Sequence, residues 1–215
     1  MTPRSTPIKG NFGEDRSQGH SLLNDPAARA VQERFIEFAA RDLKLLRDVL
    51  LNSNDARNRA LAAEVIAYAA DKQAVVDDLV EALRDQDGGV RNNATRALAV
   101  MAESARQPTK QPIKIPLLPF IEMLNSIDWT DRNKSSFALS ALTYKGDPAV
   151  LSELGQKALP SLIEMARWKS SGHAHPSFFL LGRVAGFPEG EIIAAWESGD
   201  HAAFIDAAVK RAKTK

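Results

Sequence analysis

Three groups of residues are of a type and spacing that could do chemistry. Trp129 stands two places before Asp131, and Trp168 follows further along. Aromatic rings beside a carboxylate make the most enzyme-like combination in the chain. The structural reading is that the tryptophans pack helix ends and that Asp131 caps a helix. His173 and His175 flank Ala174 in what reads as a loop. Two imidazoles that close can sit on one metal ion, but no third ligand is evident nearby, so the pair reads as solvated or capping. The third group is a set of acids and arginines at turns: Asp55 with Arg57, Asp87 with Arg91, then Asp131.

Other chemistries find no support. With Cys 0 there is no disulfide, thiolate nucleophile or thiolate metal site. Gly88-Gly89 lacks the following Lys-Ser/Thr of a phosphate loop and comes after a helical pattern, not a strand. His20 is isolated, and the histidines sit in no context that would argue a Ser-His-Asp triad. No metal and no cofactor is expected.

The elements that must position these residues repeat. Asp87-Gly88-Gly89-Val90-Arg91 leads into a segment whose apolar stripe is Val90, Ala94, Ala97, Leu98 and Met101, one face of a helix. An amphipathic segment precedes it, with Val75, Val76, Leu79, Val80 and Leu83 on one side. One copy upstream, Arg57, Ala60 and Ala63 stand for Arg91, Ala94 and Ala97. A looser third copy sets Asp131 in the place of Asp87 and Ala138, Ala141 and Leu142 in the places of Ala94, Ala97 and Leu98. A weaker fourth runs from Leu159 through a turn at Ser170–Gly172 to Phe178–Val184.

In chain order, Asp25-Pro26 starts a first helix with Val31, Phe35 and Phe38 inward, and Arg41–Leu51 is its antiparallel partner. The proline-rich run Gln107–Pro116 is a loop insertion. Later helices run over Leu117–Ile127, from Asp131 to Tyr144, in a short piece to Leu154, then over Ala158–Trp168, Pro176–Ala185, Pro188–Trp196 and Asp200–Ala212. Residues 1–24, mixed and aperiodic, are expected to be a flexible N-terminal tail, 25–212 one domain, and 213–215 a short tail. No apolar run is long enough for a membrane span, and the N-terminus lacks a signal-peptide core. The expected setting is cytoplasmic; a secreted protein whose signal has been removed would read the same.

The core Asp87-x-x-Val90-Arg91-x-x-Ala94-x-x-Ala97-Leu98 resembles HEAT repeats, including the short bacterial variety related to phycobilin-lyase repeats. The resemblance spans Pro26 to Val209. It implies an all-α, right-handed α-solenoid of about five stacked antiparallel helix pairs, a HEAT-like or armadillo-type superhelix. It also implies that Asp55, Arg57, Asp87 and Arg91 form a ladder bonding neighbouring repeats. The function expected of such a solenoid is a non-catalytic scaffold that binds a protein or peptide through its concave face. One DNA-glycosylase family built of HEAT-like repeats holds a damaged nucleotide with aromatics and an aspartate, so Trp129, Asp131 and Trp168 form an alternative site. A third reading is an accessory protein in cofactor attachment.

Charge narrows the partner. The formal net charge is +1. The resemblance implies that the second helix of each pair lines the concave face. Those helices carry Asp77, Asp78, Glu81, Glu122, Glu164, Glu189, Glu191 and Glu197, against Arg84 and Arg167. The first helices carry Arg57, Arg59, Arg91, Arg96, Arg132, Lys134 and Arg183. The concave binding residues are thus expected to be Asp77, Asp78, Glu81, Arg84, Glu122, Glu164, Arg167 and Glu189. An acidic groove favours a basic peptide and repels nucleic acid.

Overall fold

The computed structural model describes residues 13–108, 110–144 and 146–214. Ten α-helices account for most of them: α1 Pro26–Asn52, α2 Ala56–Ile66, α3 Val76–Ala82, α4 Gly88–Ala105, α5 Leu118–Met123, α6 Trp129–Leu142, α7 Pro148–Ala166, α8 Ser171–Val184, α9 Glu189–Ser198 and α10 His201–Ala212. A short hairpin, β1 Glu14–Asp15 with β2 Leu22–Leu23, precedes them.

Aspartates start most of these helices. Asp25, Asp55, Asp87, Asp128, Asp147 and Asp200 each accept a backbone N–H of the first turn, which satisfies donors that the helix itself leaves free. α2, α4, α6 and α8 then lie side by side in one layer, each against the next. α1 borders α3, and α5 borders α7, in a second layer. The motif helices of all four repeats fall in the first layer, as the pattern requires. The architecture is an all-α solenoid. Its core runs continuously between the layers, through Ile66, Leu79, Leu98, Met101, Leu124, Leu139, Leu162 and Met165. The stripe Val90, Ala94, Ala97, Leu98 and Met101 is buried throughout.

The structure departs from expectation at five places. α1 is two helical segments that meet at a kink at Asp42 (φ −115°, ψ 20°) with no turn between them, where the sequence predicts a chain reversal into an antiparallel pair. Between Ala39 and Leu43 there is no glycine or proline to reverse the chain. Val31 is exposed, and the first half of the helix packs instead through Phe35, edge-on to Tyr68 at 5.3 Å. The expected short helix to Leu154 and the helix from Ala158 are one element, α7, with Pro160 inside it. Leu154, Ala158, Leu162 and Met165 are fully buried there, and their packing offsets the roughly 3 kcal/mol that an interior proline costs. α8 begins at Ser171, so His173 and His175 stand on a helix rather than a loop.

The repeat register is the fourth difference. The caps Asp55, Asp87 and Asp128 are equivalent, so the counterparts of Arg91 are Arg59 and Arg132, not Arg57 and a position near Asp131. Alanine-rich Ala60–Ala63 fits the apolar pattern in either register, and only the cap decides. The fifth difference is at the N-terminus. Residues 1–12 of the expected tail lie outside the described residues. Residues 13–24 are not a tail: they are the hairpin, seated on the helices with Leu22, His20 and Ser21 buried.

The insertion expected at Gln107–Pro116 contains no helix among its described residues. Its end is tied down by Gln73, whose amide accepts from the Lys114 N–H at 2.8 Å and donates to the Lys114 carbonyl at 3.3 Å.

Candidate binding face

An arginine joins each repeat to the next. Arg59 donates to Asp85 from Nε and Nη2 at 2.6 and 2.8 Å, and Nη1 reaches the Ser53 carbonyl at 2.9 Å. These hydrogen bonds hold the Asp85 carboxyl below its ordinary pKa. Arg91 repeats the arrangement. Its Nε donates to both oxygens of Asp131 at 3.0 Å, Nη2 reaches Asp128 at 3.2 Å, and Nη1 takes the Asp85 carbonyl at 2.9 Å. Arg132 clamps Glu164 at 2.8 and 3.1 Å. Arg183 clamps Glu189 at 2.7 and 2.9 Å and donates to the Ser140 carbonyl. These four cations are structural. Of the expected ladder, Asp55 and Asp87 are helix caps, Arg91 is a rung, and Arg57 is exposed, its place taken by Arg59.

The hairpin lies on the layer of motif helices. Tyr68 donates its hydroxyl to the Ser21 carbonyl at 2.6 Å, and Ser104 donates to the Ser17 carbonyl at 3.0 Å. Gln32 accepts the Leu23 N–H at 2.7 Å. Arg96 of α4 grips the Glu14 carboxylate, and Arg16 bridges Glu14 and Glu103 at 2.9 and 3.0 Å. Burial works to raise the Glu14 carboxyl, but the bonds from Arg96 and Arg16 outweigh it and leave the pKa below its ordinary value. Lys72 donates to the Ala67 and Ala69 carbonyls, both at 2.8 Å, and meets His20 Nδ1 at 3.0 Å. Burial, then repulsion from Lys110, brings Lys72 down to about 8. Burial, then the Lys72 ammonium, brings His20 down to about 4. Burial, then Glu64, pushes Tyr68 up to about 12. Between the hairpin and α1, α2 and α4 remains a cleft of about 310 Å³, lined by Glu64, Asn93 and Arg96 among others.

The corrected register shows which positions point out of this layer. On α6 they are Thr130, Lys134, Phe137, Ala141 and, just past its end, Tyr144, spaced by three and four as one helical face. Their counterparts on α4 include Asn93, Arg96, Val100 and Glu103, and on α2 Leu61, Glu64 and Tyr68. The hairpin covers the α2 and α4 rows at Tyr68, Arg96 and Glu103. At the other end α9 covers α8: Trp196 meets His175 at 4.8 Å, and Glu189 takes Arg183. The α6 row lies between the two covers and is open. Phe137 is 44% exposed and Tyr144 51%. Arg106 lies over the Tyr144 ring at 3.7 Å. Lys134 is half-buried and has no ion pair among the described residues; burial, then Arg96, lowers its pKa.

The other candidate residues are placed differently. Asp131 is 4% exposed, and its oxygens are taken by Arg91 and by Ser126 Oγ at 2.9 Å. It neither caps α6, which is the role of Asp128, nor faces a ligand. Trp129 does stack on Trp168 at 6.0 Å, with His173 edge-on to it at 4.9 Å. Asp131 points away from this group into the Arg91 pair. His175 stacks on Phe179 at 4.4 Å. No three His, Cys, Asp or Glu side chains are grouped to hold a metal among the described residues.

Four of the eight acids expected to line a groove are paired, and Asp77, Glu122, Glu191 and Glu197 are exposed with no ion pair among the described residues. Asp78 pairs with Arg47 at 2.8 Å, Glu164 with Arg132, and Glu189 with Arg183. Glu81 and Arg84 pair with each other at 3.5 Å, and Arg167 pairs with Asp206 at 2.7 Å. Sequence reasoning missed the α6 row because it assigned Lys134 to a layer of scattered bases and did not consider Phe137.

No helix among the described residues is long and apolar enough to cross a membrane. No curated protein matches the sequence. Solved structures similar in fold include two designed repeat proteins. One is a computationally designed armadillo repeat protein for modular peptide recognition, 15% identical, covering 87% of this chain and 94% of its own, with a TM-score of 0.54. The other is the designed armadillo repeat protein YIII(Dq)4CqI, 16% identical, covering 92% and 98%, with a TM-score of 0.55. The family model of HEAT repeats matches residues 43–115, the span of the two strongest copies, so that part of the chain is similar to HEAT repeats, within a fold similar to that of designed armadillo repeat proteins.

Proposed function

We propose that the protein is a scaffold that binds a protein or peptide segment laid in extended form across the face of α2, α4 and α6. The observation that carries this is the hairpin. The chain's own residues 13–24 already sit on that face as a guest would, held through main-chain carbonyls by Tyr68 and Ser104 and through one carboxylate by Arg96. Main-chain contacts give affinity to any extended segment, and side-chain contacts select among them. A solenoid of the same fold designed for modular peptide recognition supports the reading. Pairing of Asp78, Glu164 and Glu189 with arginines removes part of the electrostatic reason for a basic partner on the opposite layer. The burial of Asp131 withdraws the geometric support for a glycosylase-like site.

Selection of phage-displayed random peptides on the full chain tests the proposal. Enriched families should protect amides of α4 and α6 from hydrogen exchange. No enriched family, or protection confined to α3, α5 and α7, would overturn it.

A further inference from the structure

We infer that the open row of α6 is the docking subsite, and that its partner is an extended polypeptide segment carrying a carboxylate followed by apolar side chains. The inference rests on the scaffold reading above. The carboxylate is assigned to Lys134, a half-buried ammonium with no ion pair among the described residues. Its neighbour Arg96 already holds such a group, the Glu14 carboxylate of the hairpin. Glu14 also attracts Lys134 at longer range but makes no ion pair with it, so the guest that occupies this face shows the chemistry that the next position lacks in direct contact. Half-buried unpaired charge is costly, and a partner that supplies the opposite sign relieves that cost.

The apolar side chains are assigned to Phe137, on the same helical face as Lys134, and to Tyr144, just past the end of α6, both about half exposed. Between Lys134 and Tyr144 an α-helix rises about 15 Å. An extended chain spans that length in about five residues. The recognised pattern is thus an Asp or Glu with apolar residues within the next five positions. Residues 1–12 of this chain carry Arg4 and Lys9 and no acid, so they do not complement the subsite.

Aromatic rings interleaved with bases also suit single-stranded nucleic acid. The charge balance argues against it here. Arg16 and Arg96 are neutralised by Glu14 and Glu103 on the same face, which leaves Lys134 and Arg106. One carboxylate matches that balance, and a run of phosphates does not.

The test uses peptides enriched by selection on the full chain, synthesised with a fluorophore and titrated by anisotropy. They are expected to share an acidic residue followed by apolar ones. Lys134→Glu and Phe137→Ser should each weaken binding by about tenfold or more, with far-UV circular dichroism unchanged. A peptide with its acid changed to lysine should bind Lys134→Glu better than wild type, which a merely structural effect would not produce. Peptides that bind but are basic, or that ignore both substitutions, would overturn this inference and leave the scaffold reading standing. Failure to enrich any peptide would remove both. Oligonucleotide binding lost on Lys134→Glu, with no acidic peptide enriched, would assign the row to nucleic acid instead.

Discussion

Removal of the Asp131 side chain separates its two possible roles. A helix cap at this position would lose about 1 kcal/mol on truncation. The structure instead buries Asp131 in a pair with Arg91, with contacts of 3.0 Å to both of its oxygens and a third hydrogen bond from Ser126. Breaking a buried pair by deleting one partner costs about 3–5 kcal/mol, mainly because the other charge is stranded. Arg91 is not wholly stranded: Asp128 stays at 3.2 Å, and the carbonyls of Asp85 and Gln86 still accept from it. The expected cost of Asp131→Ala is therefore about 2–4 kcal/mol. Asp128→Ala loses one cap bond and the outer contact, for about 1–2 kcal/mol. The assay is urea unfolding followed by far-UV circular dichroism, with hydrogen exchange on α4 and α6 to locate the loss. Replacing both partners, as in Arg91→Met with Asp131→Leu, should recover much of the single-mutant penalty. The reasoning is refuted if Asp131→Ala costs no more than Asp128→Ala, or if the two single effects simply add in the double variant.

The corrected register predicts that Arg59→Met destabilises by about 2–4 kcal/mol, whereas Arg57→Met stays within about 0.5 kcal/mol of wild type; equal midpoints in urea would restore the earlier register. His20, held down to about 4 from its ordinary 6.5, refuses a proton that the unfolded chain accepts between those values. Stability should accordingly fall as pH drops from about 6.5 towards 4, by on the order of 3 kcal/mol, with the slope shallower in His20→Gln; parallel slopes in the two proteins would reject this. At Gly182 an added Cβ would lie 2.8 Å from two side-chain carbons of Ile192 and 3.2 Å from Phe204, so Gly182→Ala should loosen α9 and α10 at a cost of about 1–3 kcal/mol. Faster amide exchange in those two helices, with α2 to α6 unchanged, is the signature to look for.

The apolar stripe of α4 was legible because its period is set by burial alone, and burial between two neighbouring helices leaves no freedom at Val90, Ala94 or Leu98. Element ends were less legible. The sequence predicts a helix starting at Ala158, with Pro160 near its start, and a turn over Ser170–Gly172; Pro160 and Gly172 instead lie inside longer helices, because packing of Leu162 and Phe178 outweighs a local preference. The bend at Asp42 read as a chain reversal for the opposite reason: apolar period resumes on both sides of a discontinuity, and period does not report direction. The hairpin carried little signal beyond the apolar pair Leu22-Leu23, which can pin the segment to the first helices and of which Leu22 is buried. It is held chiefly by carbonyls, which every residue has, and by a Glu14–Arg96 pair far apart in the chain.

The site was illegible for a related reason. A residue's outward direction follows from its count after the helix cap, and Asp128, not Asp131, begins that count on α6. Counted from Asp131, Lys134 is one more base among many on the motif helices. Counted from Asp128, it falls level with Asn93 and beside Arg96, on the row that the hairpin and α9 leave uncovered. The segregation of acids from bases was real in the sequence, but its meaning depended on contacts between layers. Arg47, Arg132 and Arg183 take Asp78, Glu164 and Glu189, so part of the apparent acidic surface holds helices together, while Asp77, Glu122, Glu191 and Glu197 stay exposed. On the layer of motif helices, Lys134 is a charge of the open row that no other repeat answers.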